Sequence, residues 1–283
     1  MQIARSTLFA SDTLQIDTVD TRPTSPALSG IEWQSSNAVV LPLSGVFSKF
    51  DAPGREAVGT PSHAVFIAAD TPYRLGFPGG IGDRALVVRF GQALAPERLH
   101  ESLASNGLLP AMAMMRRNLL LRRLKGGDAD AFAIEAAGLE LLDIALRALR
   151  PQAPAPRRSA LLARQRAVQR VKEAVAVAPA DKWTVARLAK IAHLSPFHLC
   201  HVFRQSVGTS LHDYVQHERL AWALEAILDS GDDLTGIALD AGFSSHSHFT
   251  ARFRRFFGCT PAALRRRETR TIMTARRERR AVA

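Results

Sequence analysis

Cysteine is scarce in this chain of 283 residues, since only Cys200 and Cys259 occur. Two thiols cannot build the disulfide framework that holds small secreted proteins together, and free thiols suit the reducing cytoplasm. The sequence also lacks any run of the roughly 18 apolar residues that a membrane helix needs, and its first residues lack the apolar core of a signal peptide. We therefore expect a soluble, cytoplasmic protein that has no contact with a membrane.

Common nucleotide-binding and hydrolase motifs are absent as well. The glycine cluster at 79–82 is isolated, so it is typical of a turn and not of a Walker loop. No serine nucleophile elbow occurs either. We therefore expect neither enzyme activity nor a bound cofactor.

Net charge divides the chain into two parts. Residues 1–156 carry 15 basic and 15 acidic side chains, whereas residues 157–283 carry 22 basic and 11 acidic ones, so the whole excess of +11 lies in the second part. The proline-rich stretch at 150–158 falls at the same place, and because proline ends helices it predicts a linker. This asymmetry is typical of a chain with one polyanion-binding end, and a merely soluble basic surface is the alternative.

The part before the linker has a strand pattern followed by a helical one. Segments 38–50, 63–70 and 84–90 are short, rich in valine and phenylalanine, and separated by clusters of glycine, proline and aspartate, which predicts a small β-barrel or sandwich. From Pro96 onward the pattern is helical. One helix carries an apolar stripe with spacings of three and four residues, which is buried either in the core of this domain or in a dimer seam. The stripe consists of Leu139, Leu142, Leu146 and Leu149.

Two segments after the linker repeat each other. Each copy has the pattern of a short helix, a tight turn and a second helix, which is the pattern of a helix-turn-helix. At a separation of 49 residues, Leu188, Ala189, Ala192, Leu194 and Ser195 match Ile237, Ala238, Ala241, Phe243 and Ser244. After one inserted residue, at a separation of 50, Leu199, Phe203, Arg204 and Gly208 match Phe249, Phe253, Arg254 and Gly258.

The helix boundaries in these copies follow from residues that favour caps and turns. Thr184 is suited to cap the first helix, and Ser195 is suited to cap the second, whose first position is Pro196. In the second copy Gly242 supplies the turn because it adopts positive φ readily, whereas His193 at the matching place is less tolerant of that conformation.

Histidines in the second helix of each copy suggest a metal site, but their spacing argues against one. His246 and His248 are two positions apart, so they point roughly 200° apart around a helix and cannot converge on one ion. His198 and His201 are three apart with Cys200 nearby, yet a structural zinc needs four ligands and no further cluster accompanies them. We therefore expect no metal site.

These second helices have one apolar and one polar face. Leu199, Val202 and Phe203 cluster on one side in the first copy, as Phe249 and Phe253 do in the second, which predicts core packing. The short polar and basic side chains opposite suit a helix that enters the major groove of double-stranded DNA, with an ordinary solvated face as the alternative. The predicted DNA-binding residues are Phe197, His198, Cys200, His201, Arg204, Gln205, Ser245, His246, Ser247, Thr250, Ala251 and Arg254.

Short motifs at fixed spacing run through residues 160–268. They comprise Leu188, Ala189, Ser195, Leu199, Phe203, Gly208, Arg219, Leu220, Ala223, Ile237, Ala238, Gly242, Phe243, Ser247, Phe249, Phe253, Gly258, Thr260, Pro261 and Arg265. Together they resemble the DNA-binding domain of the AraC/XylS family of transcription regulators. Two departures are modest: Leu264 stands where an aromatic residue is usual, and His193 replaces a more typical turn residue.

The resemblance implies an all-α domain of two helix-turn-helix motifs joined by a long helix over about 210–228. It also implies that both second helices enter successive major grooves, and that the protein activates transcription together with RNA polymerase. Cys200 and Ala251 suit thymine methyl groups, whereas Arg204 and Arg254 suit phosphates or a guanine. The positions that the family uses for base reading are Phe197, Cys200, His201, His246, Ser247 and Ala251.

The motifs LPLSG at 41–45 and DTPYRL at 70–75 resemble those of a cupin-like sensor domain found in one branch of the same family. This likeness implies a first domain that senses a small molecule or mediates homodimerisation, with the helices after residue 96 as the dimer contact. A metal-dependent cupin enzyme is the rival interpretation. It needs several histidines and a carboxylate, and before the linker there are only His63 and His100.

The expected architecture is α+β. A cupin-like β-barrel with following helices occupies 1–150, a linker 151–158, a double helix-turn-helix domain 159–268, and a basic tail 269–283. The tail holds five arginines and one glutamate, so we expect it to be disordered and to add nonspecific attraction to phosphate. Two functions remain open: a ligand-responsive transcription regulator, and a DNA-binding protein whose first domain only dimerises.

Overall fold

The computed structural model describes residues 1–51, 55–91, 94, 103–126, 130–150, 158–229 and 233–267. The predicted linker at 151–158 lies outside these residues except for its last position, and the predicted tail at 269–283 and His100 lie outside them as well. Within the described ranges, no helix is long and apolar enough to cross a membrane.

The first part of the chain forms β-strands. In chain order they are β1 (Gln2–Ala10), β2 (Leu14–Arg22), β3 (Asn37–Gly45), β4 (Phe47–Asp51), β5 (Arg55–Gly59), β6 (His63–Ile67), β7 (Tyr73–Gly76), β8 (Asp83–Phe90) and β9 (Asn106–Leu108). One antiparallel sheet has six strands in the order β1-β2-β8-β3-β6-β9, and a second has three in the order β5-β4-β7. The three segments expected to be strands are therefore only part of the sheets.

The two sheets pack face to face, as alternating residues of β3 show. Ala38 and Val40 share an apolar core with Phe47 of the smaller sheet. Val39 and Leu41 point to the opposite side and share a second core with the helices that follow. Because successive side chains of a strand face opposite ways, a strand that is covered on both sides must be apolar throughout. This explains why the segment has the continuous hydrophobic run seen in the sequence.

The sheets do not close, so the barrel prediction is wrong. Among the described residues, β1 and β9 are the two edges of the six-stranded sheet. The segment 38–50, expected as one strand, is divided at Gly45 between the two sheets. Gly45 has a φ of 76°, and a Cβ there would lie 2.1 Å from the Gly82 carbonyl oxygen, so only glycine permits this break. The antiparallel sheet followed by helices, which the α+β class requires, is confirmed.

Helices complete the described chain. They are α1 (Ala111–Gly126), α2 (Ala131–Ala148), α3 (Arg158–Val177), α4 (Val185–Ala192), α5 (Pro196–Val207), α6 (Leu211–Asp229), α7 (Leu234–Asp240) and α8 (His246–Phe257), and residues 261–267 are also helical. The predicted leucine stripe runs along α2 to Leu149, the residue that caps its C-terminal end. Leu142 and Leu149 are buried and Leu139 and Leu146 are partly buried, all in the core beneath the six-stranded sheet. The stripe therefore packs within the chain.

Two of the later helices lie directly against the sheets, α3 at β5 and α6 at β3. Leu220 and Leu224 of α6 and Phe249 of α8 belong to the same apolar core as Leu41 and Phe90 of the six-stranded sheet. The long helix α6 is the one expected over about 210–228. It contacts β3, α5 and α7, so it connects the six-stranded sheet with both pairs of short helices.

Two arginines from the first part of the chain hold the C-terminal end of α6. Arg84 of β8 pairs with Asp229 at 2.8 Å and also with Glu225. Arg122 of α1 donates a hydrogen bond to the Leu228 carbonyl oxygen. Cations are favourable there because the C-terminal end of a helix carries partial negative charge. The orientation of α6 relative to the sheets is thus set by charged contacts as well as by the apolar core.

Candidate nucleic-acid interface

The first helix-turn-helix consists of α4 and α5, and its caps are those expected. Thr184 Oγ1 accepts a hydrogen bond from the Arg187 N–H at 3.1 Å, and Ser195 Oγ accepts one from the His198 N–H at 3.3 Å. His193 ends α4 in the left-handed conformation with a φ of 55°. A histidine can adopt this conformation at some cost, and it does so here. The predicted starts of both helices are confirmed.

The second helix-turn-helix consists of α7 and α8, and Gly242 makes its turn with a φ of 81°. The cap of α8 is Ser245, whose Oγ accepts a hydrogen bond from the His248 N–H at 3.2 Å. Ser195 therefore corresponds to Ser245 and not to Ser244, so the earlier alignment of these serines is wrong. The inserted residue lies in the turn before the cap, which residue matching alone did not reveal.

The inner faces of α5 and α8 are core, as predicted. Leu199, Val202 and Phe203 are buried in α5, where the Phe203 ring meets the Tyr214 ring at 5.1 Å. In α8 and the turn before it, a series of phenylalanine rings packs in sequence, with centroids 4.5–5.6 Å apart, within the range for favourable aromatic pairs. The rings are those of Phe243, Phe249, Phe253 and Phe257. These contacts fix the rotation of each helix about its axis.

That rotation turns the predicted DNA-binding residues outward. Eleven of the twelve are exposed and Thr250 is half-buried, so none is hidden by the sheets. Phe197, at the start of α5, is 85% exposed, a large apolar surface left in water. The Ser245 hydroxyl already accepts the hydrogen bond that caps α8. A hydrogen bond from this hydroxyl to DNA would compete with that cap. The two faces are available together in one conformation.

Two arginines position the first motif from behind. Arg170 of α3 donates to the carbonyl oxygens of Ile191 at 3.1 Å and Ala192 at 2.9 Å, at the end of α4. Arg219 of α6 donates to the carbonyl oxygens of Pro179 and Asp181, both at 2.9 Å, before α4 begins. Arg219 belongs to the family motif, but nothing in the local sequence marks Arg170 as a residue that binds carbonyls 21 positions away.

Comparison with known proteins agrees with this geometry. Residues 188–267 match a family model described as a helix-turn-helix domain. The chain is 40% identical over 89 residues to the HTH-type transcriptional regulator GlxA of Rhizobium meliloti (strain 1021), a match that covers 31% of this chain and 26% of the relative. This part of the chain is an AraC-type helix-turn-helix domain.

The AraC-type domain has other relatives of the same kind. The virulence regulon transcriptional activator VirF of Yersinia enterocolitica is 31% identical over 83 residues, which cover 29% of this chain and 31% of that protein. A solved DNA-binding domain of AdpA, in complex with a target DNA, is 27% identical with a TM-score of 0.32 and covers 34% of this chain and 89% of that one. The chain thus matches 26% to 31% of the length of these two curated regulators.

Cations on the outer faces of the AraC-type domain are free to meet a partner. Neither Arg204 of α5 nor Arg254 of α8 forms an ion pair with any residue in the described ranges. Arg187 of α4 differs, because it pairs with Asp181 at 2.8 Å and stacks over the Trp183 ring at 4.2 Å. A free guanidinium can donate two parallel hydrogen bonds to a phosphate or to a guanine edge.

Proposed function

We propose that this chain is a sequence-specific transcription regulator that binds double-stranded DNA through both α5 and α8, the recognition helices. The observation that carries the proposal is the simultaneous exposure of the polar faces of these two helices. Successive major grooves lie about 34 Å apart along the duplex, so one chain would bind two boxes about one turn apart. The basic excess of the second half of the sequence supports attraction to the phosphate backbone.

Roles within each recognition helix follow from side-chain chemistry. Cys200 and Ala251 are poor hydrogen-bonding groups, and we assign them to thymine methyl groups. Arg204 and Arg254 are assigned to phosphates or to a guanine, which the two free guanidinium groups allow. The remaining base-reading positions in the proposal are Phe197, His201, His246 and Ser247.

Selection of bound sequences from random duplex DNA by the full chain tests this proposal. The selection is repeated with His201→Ala in α5 and with His246→Ala in α8, so that each variant serves as the control for the other. Two enriched boxes, each relaxed only by the change in its own helix, are expected. A single box, or enrichment indifferent to His201, would reduce the first motif to a backbone contact, and no enrichment at all would refute sequence-specific binding.

We further propose that residues 1–150 form a cupin-like sensor domain and residues 159–268 the DNA-binding domain. An open cleft of about 250 Å³ between the two sheets favours a response to a small molecule. The direct packing of the sheets on α6 supports a route from that cleft to the helix that joins the recognition helices. A shift in the thermal melting of the full chain with a metabolite, together with altered DNA affinity, would establish an effector.

A protein whose first domain only dimerises is the alternative. Met112 of α1 is 53% exposed and Phe132 of α2 is 77% exposed, which favours these helices as a homodimer contact. Light scattering of the full chain and of Phe132→Ser tests the contact, and a monomer at all concentrations would exclude it. We also propose that the chain activates transcription, because the Yersinia relative is a transcriptional activator. RNA polymerase is the partner that activation requires, and a reporter gene behind the selected boxes tests this proposal.

A further inference from the structure

A small open cleft lies between the two sheets, where the segment before β3 passes over them. Its volume is about 250 Å³, below the roughly 300 Å³ at which pockets for drug-sized ligands begin, so it suits a small metabolite. The side chains of β1, β7 and β8 at the cleft are on the sheet faces that look toward each other. The lining includes Arg5, Glu32, Trp33, Gln34, Tyr73 and Arg89.

The floor of the cleft is held rigidly by Arg89. Its Nε donates to Asp17 Oδ2 at 2.9 Å and its Nη1 donates to Gln34 Oε1 at 2.5 Å. Burial raises the pKa of Asp17, but hydrogen bonds from Gln15, Arg89 and Thr7 outweigh it and leave that pKa below its ordinary value. Asp17 therefore stays ionised beside Arg89, and Arg89 is committed to partners within the protein.

Glu32 is also held in place, but its carboxylate is not used. The backbone N–H of Glu32 donates to the Tyr73 carbonyl oxygen at 2.8 Å, and the Tyr73 N–H donates back to Glu32 at 2.9 Å. Glu32 Oε1 and Gln34 Nε2 are nonetheless buried without a hydrogen-bond partner among the described residues. A buried polar atom without a hydrogen-bond partner costs free energy. The cleft therefore offers an acceptor, Glu32 Oε1, and a donor, Gln34 Nε2, to the polar groups of a ligand.

The rim of the cleft has a free cation and a bare apolar surface. Arg5 is exposed and forms no ion pair with a residue that the structure describes. Trp33 is 71% exposed and Ile31 is 59% exposed, both next to Glu32 in the chain and both in the lining. A ligand that covered them would remove two large apolar side chains from water.

We propose that this cleft binds a free α-amino acid with an apolar or aromatic side chain. The ammonium group of the ligand donates to Glu32, its carboxylate accepts from Arg5 and the Gln34 amide, and its side chain packs on Trp33 and Ile31. A carboxylic acid alone would leave Glu32 without a donor, and an amine alone would leave Arg5 without an anion. Amino-acid binding in the cleft does not depend on the proposed function. Only its role as a signal that regulates transcription rests on the proposed effector response.

Calorimetric titration of the full chain tests the ligand class with matched molecules. L-phenylalanine and L-leucine are compared with 3-phenylpropanoate, which lacks the ammonium group, and with phenethylamine, which lacks the carboxylate. Binding of the amino acids, with affinity for both partial molecules reduced roughly tenfold or more, is expected. Binding of 3-phenylpropanoate as tight as that of L-phenylalanine, or no binding of either amino acid, would overturn the proposal.

Variants locate the site and separate it from the function of the recognition helices. Glu32→Gln and Arg5→Gln should each weaken amino-acid binding roughly tenfold or more, whereas Glu140→Gln and Arg116→Gln, an exposed pair between α1 and α2, should not. Unchanged binding in both cleft variants, with unchanged melting temperatures, would overturn the assignment. If the chain selects DNA sequences but binds no amino acid, only the assignment of the cleft is refuted. If it binds amino acids but selects no DNA sequence, only the proposed function as a regulator is refuted.

Discussion

Thr60 Oγ1 donates a 2.7 Å hydrogen bond to Glu218 Oε1 across 158 positions of the chain. Ser62 Oγ donates to the same carboxylate oxygen at 2.5 Å, and His63 Nδ1 lies 3.7 Å from it. All four side chains are buried. Burial raises the pKa of Glu218, although hydrogen bonds from Ser62 and Thr60 and the nearby Lys172 ammonium oppose the rise. The turn between β5 and β6 is thus bonded to the helix that joins the two recognition helices.

Removal of this carboxylate should destabilise the chain. Glu218→Ala removes the buried carboxylate that accepts from both the Thr60 and Ser62 hydroxyls. We expect a loss of about 1–3 kcal/mol in the free energy of unfolding, measured in urea. Glu218→Gln keeps an acceptor oxygen and should lose less. The control is Glu140→Ala on the surface of α2, which should stay within about 0.5 kcal/mol. An unchanged free energy in Glu218→Ala would show that the bonded network contributes nothing.

A pair of carboxylates where α3 meets the smaller sheet should make stability depend on pH. Burial and the neighbouring Glu173 raise the pKa of Glu56 to about 7, with Arg166 and Arg170 opposing the rise. In the unfolded chain Glu56 has its ordinary pKa, so the unfolded state loses this proton at lower pH than the folded state does. The free energy of unfolding therefore falls as pH rises from about 4.5 to 7. Glu56→Gln should therefore gain stability relative to the original chain at pH 8, and little at pH 4.5.

Urea unfolding of both proteins at several pH values measures this difference. The control variant is Glu140→Gln, whose carboxylate is exposed, and its difference from the original chain should not change with pH. A gain for Glu56→Gln that is equal at both ends of the range would contradict repulsion between the carboxylates.

Arg254 should contribute to DNA affinity without contributing to the fold. If its free guanidinium reads a base, Arg254→Ala should weaken binding to the selected DNA by about 1–3 kcal/mol and relax one position of the second box. The control is Arg147→Ala, an exposed arginine on α2 that pairs within its own helix. Affinities measured by fluorescence anisotropy at fixed salt decide the role. An equal loss on random DNA assigns Arg254 to a phosphate, and no loss removes it from the interface.

The turn of the second motif should require glycine at position 242. A Cβ on Gly242 would lie 2.7 Å from the Ala180 backbone, and the φ of 81° disfavours other residues. We expect Gly242→Ala to destabilise the chain by at least about 1 kcal/mol. The matched control is Gly236→Ala in α7, where nothing lies within 4 Å and alanine should stabilise the helix by up to about 1 kcal/mol. Thermal unfolding that moved in the same direction for both would contradict this reason.

Local interactions explain why the helix-turn-helix motifs could be predicted. Thr184 and Ser195 cap helices through hydrogen bonds to residues three positions away, so the signal lies within a few letters of sequence. The buried stripe of α5 likewise follows from a period that the sequence displays. Even there, the correspondence between Ser195 and Ser245 needed the backbone, because an inserted residue in a turn leaves no periodic signal.

Pairing over long distances explains what could not be predicted. The positive φ of Gly45 sends β3 and β4 into different sheets, and the obstacle that demands a glycine there is the Gly82 carbonyl, far along the chain. A barrel and two open sheets have the same alternation of side chains along each strand, so the pattern within a strand could not distinguish them.

The sequence by itself determined two capped helix pairs with a polar outer face and placed the basic charge with them, because those features depend on near neighbours and on composition. Only the tertiary structure decided that the sheets stay open, that Glu218 is buried against Thr60, and that Arg5 and Glu32 line one cleft. Each of those arrangements joins residues that are distant in sequence, and the chain must fold before their charges, distances and burial exist.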